Sequence, residues 1–179
     1  MPRVLFVASH RLGRAPSQRF RFEQYLEHLT GEGIDWEFSP LLTVEDDATF
    51  YGRSSALLKA WVLARCALRR TRDVRRASEF DIAFIQREAF FGGWPVFERA
   101  FKRAGLRVVL DFDDSIWLLD VSDANRQYGW LKRPQKTAEI ARLADAVVGG
   151  NSFLVDYARK FNPNTVLIPT TIDTRSYKR

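Results

Sequence analysis

Three carboxylates fall within four residues at Asp111, Asp113 and Asp114, immediately after the apolar run Val108-Val109-Leu110. Such a run reads as a buried strand, and in open α/β sheets ligands sit beyond the carboxyl ends of the strands. Acid clustered there predicts a site rather than a core. Asp113 and Asp114 are candidate catalytic residues, able to hold a ligand hydroxyl and assist its proton, and Asp111 is a candidate ligand-binding residue beside them. Carboxylates this close push one pKa upward by mutual repulsion. The structural alternative is that one caps a turn and another meets an arginine.

Cations come from elsewhere in the chain. Arg19 and Arg21, in Pro16-Ser17-Gln18-Arg19-Phe20-Arg21, fall in the first turns of a predicted helix, where positive charge is unfavourable unless an anion is present. They are candidate acceptor ligands through a phosphate or pyrophosphate; ion pairing with Glu23, Glu27 or the aspartates is the alternative. Arg87 and Glu88 close another predicted strand and could bind acceptor hydroxyls or phosphate, or form a buried pair with each other. Phe90, Phe91 and Trp94 are either an apolar platform or local packing.

The elements that must position these groups alternate. Residues 4–8 predict a first strand, 9–16 a polar loop containing His10, Gly13 and Pro16, and Ser17 the cap of a helix over 18–29 with Phe22, Tyr25, Leu26 and Leu29 on one face. A strand over 34–38 near a sheet edge is closed by Pro40, and 43–51 is irregular or briefly helical. Ser54 or Ser55 caps a long helix to Ser78, apolar in its first half and carrying Arg65, Arg69, Arg70, Arg72, Arg75 and Arg76 in its second. That pattern suits either an anionic membrane surface or a solvated face on a helix packed against the sheet. A strand over 81–85, a helix over 96–103 with Pro95 at its start and Gly105 as its stop, and the aspartate strand follow. The connection over 119–134, with Tyr128 and Trp130, is long and polar. A helix over 135–143, a strand over 145–149, a helix over 153–161 capped by Asn151-Ser152, and a strand over 165–168 ended by Pro169 complete the pattern. The alternation predicts right-handed crossovers and a mostly parallel sheet with helices on both faces, a Rossmann-like α/β fold. The first loop lacks a GxGxxG fingerprint.

The chain of 179 residues can bury one real core, and its net charge of +6 favours an anionic partner without choosing among phosphate, nucleic acid and lipid. Cys66 stands alone, so no internal disulfide forms, which suits a reducing compartment. No apolar run approaches the roughly 20 residues of a membrane span, and a cytoplasmic location is expected, with contact at the inner face of the membrane left open.

Taken in order, the opening strand and loop, the segment Pro16 to Arg21, the Asp111-Phe112-Asp113-Asp114 strand end, Ala144-Asp-Ala-Val-Val-Gly-Gly-Asn-Ser-Phe-Leu154 and Val166-Leu-Ile-Pro-Thr-Thr-Ile-Asp173 resemble the N-terminal half of a GT-B glycosyltransferase of the large retaining family four. The resemblance implies that residues 1–173 are an acceptor-binding domain, that 174–179 begin an interdomain linker, and that a nucleotide-sugar domain lies outside this chain. It implies sugar transfer from a nucleotide sugar to a hydroxyl acceptor, possible lipid or polysaccharide linkage of that acceptor included, with retention and with little activity from this half alone. It places Gly13 and Arg14 toward the donor phosphates and Asn151, Ser152, Thr171 and Asp173 along the interdomain cleft. It assigns the nucleotide sugar as co-substrate, with no metal, no resident cofactor and no nucleic acid. The family often has a histidine after the fourth strand; Asp113-Asp114 stand here. In retaining transfer of this kind the donor phosphate takes the acceptor proton, so no aspartate need be the base.

Two other readings compete. Val108-Val-Leu-Asp-Phe-Asp-Asp-Ser115 also resembles the first motif of haloacid-dehalogenase-like phosphatases, with Asp111 as nucleophile, Asp113 as acid/base and Mg²⁺. That motif usually opens its domain, and Asp114 replaces its usual glycine. The third reading is a non-enzymatic module whose basic helix meets a membrane surface; zinc spacing and nucleic-acid motifs are missing.

Overall fold

A computed structural model of the chain describes residues 1–118, 133 and 135–174. The expectations for the connection over 119–132, with Tyr128 and Trp130, for residue 134 and for the linker over 175–179 lie outside the described residues.

The described chain runs β1 (Arg3–Ala8), α1 (Pro16–Arg21), a 3-10 turn (Glu23–Tyr25), α2 (Leu26–Gly31), β2 (Asp35–Pro40), α3 (Val44–Tyr51), α4 (Ala56–Arg75), a second 3-10 turn (Ala77–Glu79), β3 (Ile82–Gln86), α5 (Val96–Arg103), β4 (Arg107–Phe112), α6 (Gln135–Leu143), β5 (Ala146–Gly149), α7 (Ser152–Arg159) and β6 (Thr165–Leu167). The six strands form one sheet in the order β2-β1-β3-β4-β5-β6, and every neighbouring pair is parallel. The chain thus goes out to β2, returns past β1 and continues the other way, so the order reverses between β1 and β3. Adjacent loops diverge at such a switch point and leave a crevice beyond the carboxyl ends.

Alternate side chains of each strand go to opposite faces. On one face Leu5, Ala83, Ile85, Val108, Leu110 and Val147 pack with Phe101, Ile140 and Leu154. On the other, Val4 and Phe6 meet Phe22 and Leu26, with Phe38 and Phe84 against them. A third cluster, Leu41, Leu42, Val62 and Cys66 with Phe50, Phe90 and Phe91, joins α4 to the loop after β3.

Two expectations are corrected, and one open alternative is decided. The first helix is not continuous from 18 to 29: Phe22 leaves helical geometry (φ −142°, ψ −33°), and its ring drops to 5.1 Å from Phe6 and 5.8 Å from Phe38. Ser17 is not its cap. Pro16, with φ already near the helical value, starts α1, while the Ser17 hydroxyl accepts from Gln86 Nε2 at 3.2 Å. Residues 44–51 are a true helix because Thr43 and Asp46 form a reciprocal capping box, at 3.2 and 3.3 Å.

The basic half of α4 is mostly spoken for. Arg70 is 0% exposed. Its guanidinium donates to Ala8 O (2.9 Å), Ser39 O (3.2 Å), Ser39 Oγ (2.7 Å), Ala89 O (2.7 Å) and Asp73 Oδ2 (2.9 Å). It ties β1, β2 and the loop after β3 at their carboxyl ends. Arg65 and Arg69 pair with Asp46, and Arg76 with Glu37 and Glu79.

Arg70→Met is expected to cost about 3–5 kcal/mol in urea unfolding, because it removes the cation beside the buried Asp73 and the side-chain donor to the carbonyls of Ser39 and Ala89. Arg72→Met, exposed on the same helix, should change stability by less than about 0.5 kcal/mol.

Glu98 gives a pH-dependent counterpart. It is 0% exposed; Oε1 accepts the Ala89 N–H at 2.9 Å and Oε2 has no partner among the described residues. Burial pushes its carboxyl above the ordinary range, against the opposing charge of Lys136. A carboxyl raised in this way stabilises the fold below its unfolded value and loses that contribution as pH rises through the folded one. Glu98→Gln keeps an acceptor for Ala89 and removes the charge. Its melting temperature should therefore gain on the native protein progressively above about pH 4; a constant difference across pH would contradict a raised Glu98.

Candidate functional site

The crevice at the β1/β3 switch point is built from three strand ends. The loop after β1 is pinned from α1. Gln18, 0% exposed, accepts from His10 N and donates to His10 O, both at 2.9 Å. Glu23 accepts from Gly13 N at 2.8 Å. Gly13 has φ +76°, and a Cβ there would meet nothing within 4 Å, so the glycine serves the turn conformation rather than a close approach. Its N–H is already occupied by Glu23.

So held, the loop brings Arg11 and Arg14 to one carboxylate of α3. Arg14 Nε lies 2.8 Å and Arg11 Nη1 3.2 Å from Asp47 Oδ2. The other oxygen, Asp47 Oδ1, stands 3.7 Å from His10 Nδ1, and neither atom has a hydrogen-bond partner among the described residues. Burial works to raise Asp47, but the hydrogen bonds from Arg14 and Arg11 outweigh it and hold the carboxyl below its usual range. His10 is lowered, first by burial and then by the cations Arg14, Arg87 and Arg11, with Asp47 opposing. Its imidazole is therefore neutral near pH 7.

The opposite wall comes from β3 and β4. Arg87 follows β3 with φ +66°, the one non-glycine residue with positive φ among the described residues. Its N–H donates to Asp111 O at 2.7 Å. Its guanidinium reaches Asp113 Oδ1 at 3.0 and 3.2 Å and Asp114 as well. The charges of the crevice balance in number but not in position. Two arginines share one aspartate on the β1 side, and one arginine meets two aspartates on the β4 side.

The remaining expected site residues separate from this group. Asp111 and Arg21 are paired with each other inside the fold, with side-chain exposures of 1% and 2%. Arg21 Nε lies 3.1 and 3.2 Å from the two Asp111 oxygens, and its far nitrogen reaches Ile168 O. Burial is the main influence raising the Asp111 carboxyl; the Arg21 bonds oppose it and repulsion from Asp113 is minor. The structural alternative, an arginine meeting the aspartate cluster, is the arrangement found, and it leaves these two no surface for an acceptor. Arg19 lies apart, its guanidinium 5.4 Å from the Phe20 ring. Glu88 pairs with Lys136 at 2.7 Å rather than with Arg87. Phe90 and Phe91 pack in the third cluster, whereas Trp94 is exposed beneath Arg133 at 3.6 Å.

Further along the lip, Asn151 Oδ1 caps α7 through Leu154 N at 3.0 Å, with Ser152 opening the helix. Thr171 and Asp173 are held by the 3-10 turn after α1: Gln24 Nε2 donates to Thr171 O at 2.9 Å, Gln24 Oε1 accepts from Asp173 N at 3.1 Å, and Tyr25 OH meets Thr171 Oγ1. Gly150 permits the β4 and β5 ends to meet, since a Cβ there would fall 3.2 Å from Asp113 Cα and 3.5 Å from Arg21 Nη1.

The phosphatase reading loses its nucleophile, because Asp111 is closed off by Arg21 while Asp113 faces Arg87 instead of sharing an open space with it. Fold and crevice together define a Rossmann-like α/β domain, a parallel sheet flanked by helices on both sides. Compared with models of known families and with curated proteins, the chain finds no match in either. No helix among the described residues is long and apolar enough to cross a membrane.

The positive φ of Arg87 can be isolated from its ion pairs. Arg87→Gly and Arg87→Ala both remove the guanidinium, but only alanine keeps the Cβ. The glycine variant should be the more stable by about 1 kcal/mol in denaturant unfolding, and equal stability would show that the backbone there is unstrained.

Proposed function

We propose that the switch-point crevice binds the hydroxyl acceptor of a sugar transfer from a nucleotide sugar, as the acceptor half of a retaining GT-B glycosyltransferase. The observation that carries this reading is the uneven charge of the crevice. Arg11 and Arg14, 39% and 45% exposed at the side chain, have donors to spare after Asp47 and suit a phosphate. Asp113 and Asp114 keep acceptor lone pairs beyond those used by Arg87 and suit sugar or polyol hydroxyls. A ligand carrying phosphate and hydroxyls together meets both walls. Neutral His10 between them can accept a hydroxyl hydrogen bond. In this reading the nucleotide-sugar donor is held mainly by a second domain, and Thr171 and Asp173 face the cleft between the two.

The charge division predicts a pattern of losses. Calorimetric titration compares inorganic phosphate with a set of sugar phosphates. Arg11→Gln with Arg14→Gln should weaken both kinds of ligand about tenfold, one charge-assisted hydrogen bond's worth. Asp113→Asn should weaken the sugar phosphates alone. Transfer from labelled nucleotide sugars is then assayed with a family donor domain fused after residue 173. A crevice indifferent to every phosphorylated hydroxyl compound, together with no turnover in the fusion, would sink the reading.

A further inference from the structure

The long helix α4 has two apolar faces, and only one is covered. Val62, Cys66, Arg70 and Asp73 are buried against the sheet and α3. On the opposite side Leu57, Trp61, Ala64 and Leu68 follow at i, i+4, i+7 and i+11, a straight stripe at helical period. Leu57 is 83% exposed, Trp61 62% and Leu68 68%. A soluble helix ordinarily turns polar residues to that side.

The charge around the stripe has one sign. No Asp or Glu occurs from Gly52 through Arg72, and Asp73 is buried against Arg70. Once the internal pairs of Arg65, Arg69, Arg70 and Arg76 are set aside, Arg53 precedes the stripe and Arg72 and Arg75 lie at its end, while Lys59, two residues on from Leu57, is on the opposite side of the helix. Arg53, Arg72 and Arg75 have no ion pair among the described residues. The position matters too. Arg70 sits level with the strand ends at Ala8 and Ser39, and Cys66 with Leu41 just beyond β2. The helix runs back toward the start of β3, so residues 57–69 stand up to about 20 Å beyond the carboxyl edge of the sheet. The stripe is at the same end of the molecule as the crevice.

We propose that this face of α4 lies on an anionic lipid surface, with Trp61, Leu57 and Leu68 in the headgroup–acyl boundary and Arg53, Arg72 and Arg75 on lipid phosphates. Tryptophan beside basic residues on an amphipathic helix suits that boundary. Charge complementarity selects lipid over a second copy of the chain. Pairing two such stripes, parallel or antiparallel, sets arginine against arginine with no acid between them. Adsorption brings the crevice's end of the molecule to the lipid. This inference does not rest on the sugar-transfer reading.

The test is vesicle flotation with phosphatidylcholine alone and with roughly a third phosphatidylglycerol, beside sedimentation of the lipid-free protein. The protein should float with the anionic vesicles only and be released by high salt. Quenching by brominated acyl chains should be lost in Trp61→Phe. The triple variant Leu57→Ser, Trp61→Ser, Leu68→Ser should cut binding at least about tenfold with an unchanged circular-dichroism melt, since the three side chains are exposed. Arg72→Gln with Arg75→Gln should cut it about tenfold on anionic vesicles. Failure to float, equal flotation with neutral vesicles, or binding untouched by the triple variant overturns the proposal. So does a lipid-free dimer that the triple variant dissolves, which would give the face to a second copy.

Discussion

Taking the Arg70 guanidinium out of water costs several kcal/mol, and the fold is arranged to recover it. Its planar fork reaches carbonyls from three separate chain segments, those of Ala8, Ser39 and Ala89, and one carboxylate that is itself nearly enclosed. The Ala89 carbonyl lies past the end of β3, the Ser39 carbonyl near the end of β2, and the Ala8 carbonyl, at the end of β1, accepts from Leu41 N as well. Left unpaired there, such groups would each carry a desolvation penalty. One side chain from α4 satisfies all of them and fixes how far apart the loops after β1 and β3 can stand. The loops on either side of the switch point are therefore tied together from below, by a charge that is itself enclosed.

Arg21 does the equivalent work on the other half of the sheet. It joins Asp111 at the end of β4 to the carbonyl of Ile168 just past β6, with Gln24 and Tyr25 extending the clasp to Thr171 and Asp173. Because these two buried arginines are satisfied internally, the exposed ones are free of structural duty. Arg11, Arg14 and Arg87 share aspartates at the rim and keep donors toward solvent. A positively strained backbone at Arg87 aims its guanidinium across to Asp113 and Asp114, a conformation held by the short Arg87 N–H to Asp111 O bond and the parallel register beneath it.

Much of this was legible in the sequence where the signal is local. The helices Val96–Arg103 and Gln135–Leu143 match their expected bounds, because proline, glycine and a clean apolar period mark them. The strands fall within one or two residues of expectation, and their parallel pairing follows from the alternation of strand and helix. Arg70 was counted with a basic surface, yet it lies at i+8 from Val62 and i+4 from Cys66, so the helical period alone places it on the buried face. Gln18 was overlooked for its arginine neighbours, although a polar side chain that caps a loop rather than a helix leaves no short-range mark. The Arg21–Asp111 pair spans 90 residues, and the sequence could offer it only as one of several partners. The positive φ of Arg87 has no signature in residue type at all, since glycine or asparagine would be the usual choice.

The same distinction between spent and unspent charge explains why a net charge of +6 says little by itself. Arg3, Arg21, Arg65, Arg69, Arg70 and Arg76 are neutralised at short range, by Asp46, Asp73, Asp111, Glu37 and Glu79. Surface pairs of that kind contribute little stability, but they remove those cations from any competition for a partner. What remains is spread over both ends of the molecule: Arg53 and Arg72 belong to the α4 side, whereas Arg107 opens β4 and Arg103, Arg142 and Arg159 lie in the last turns of α5, α6 and α7.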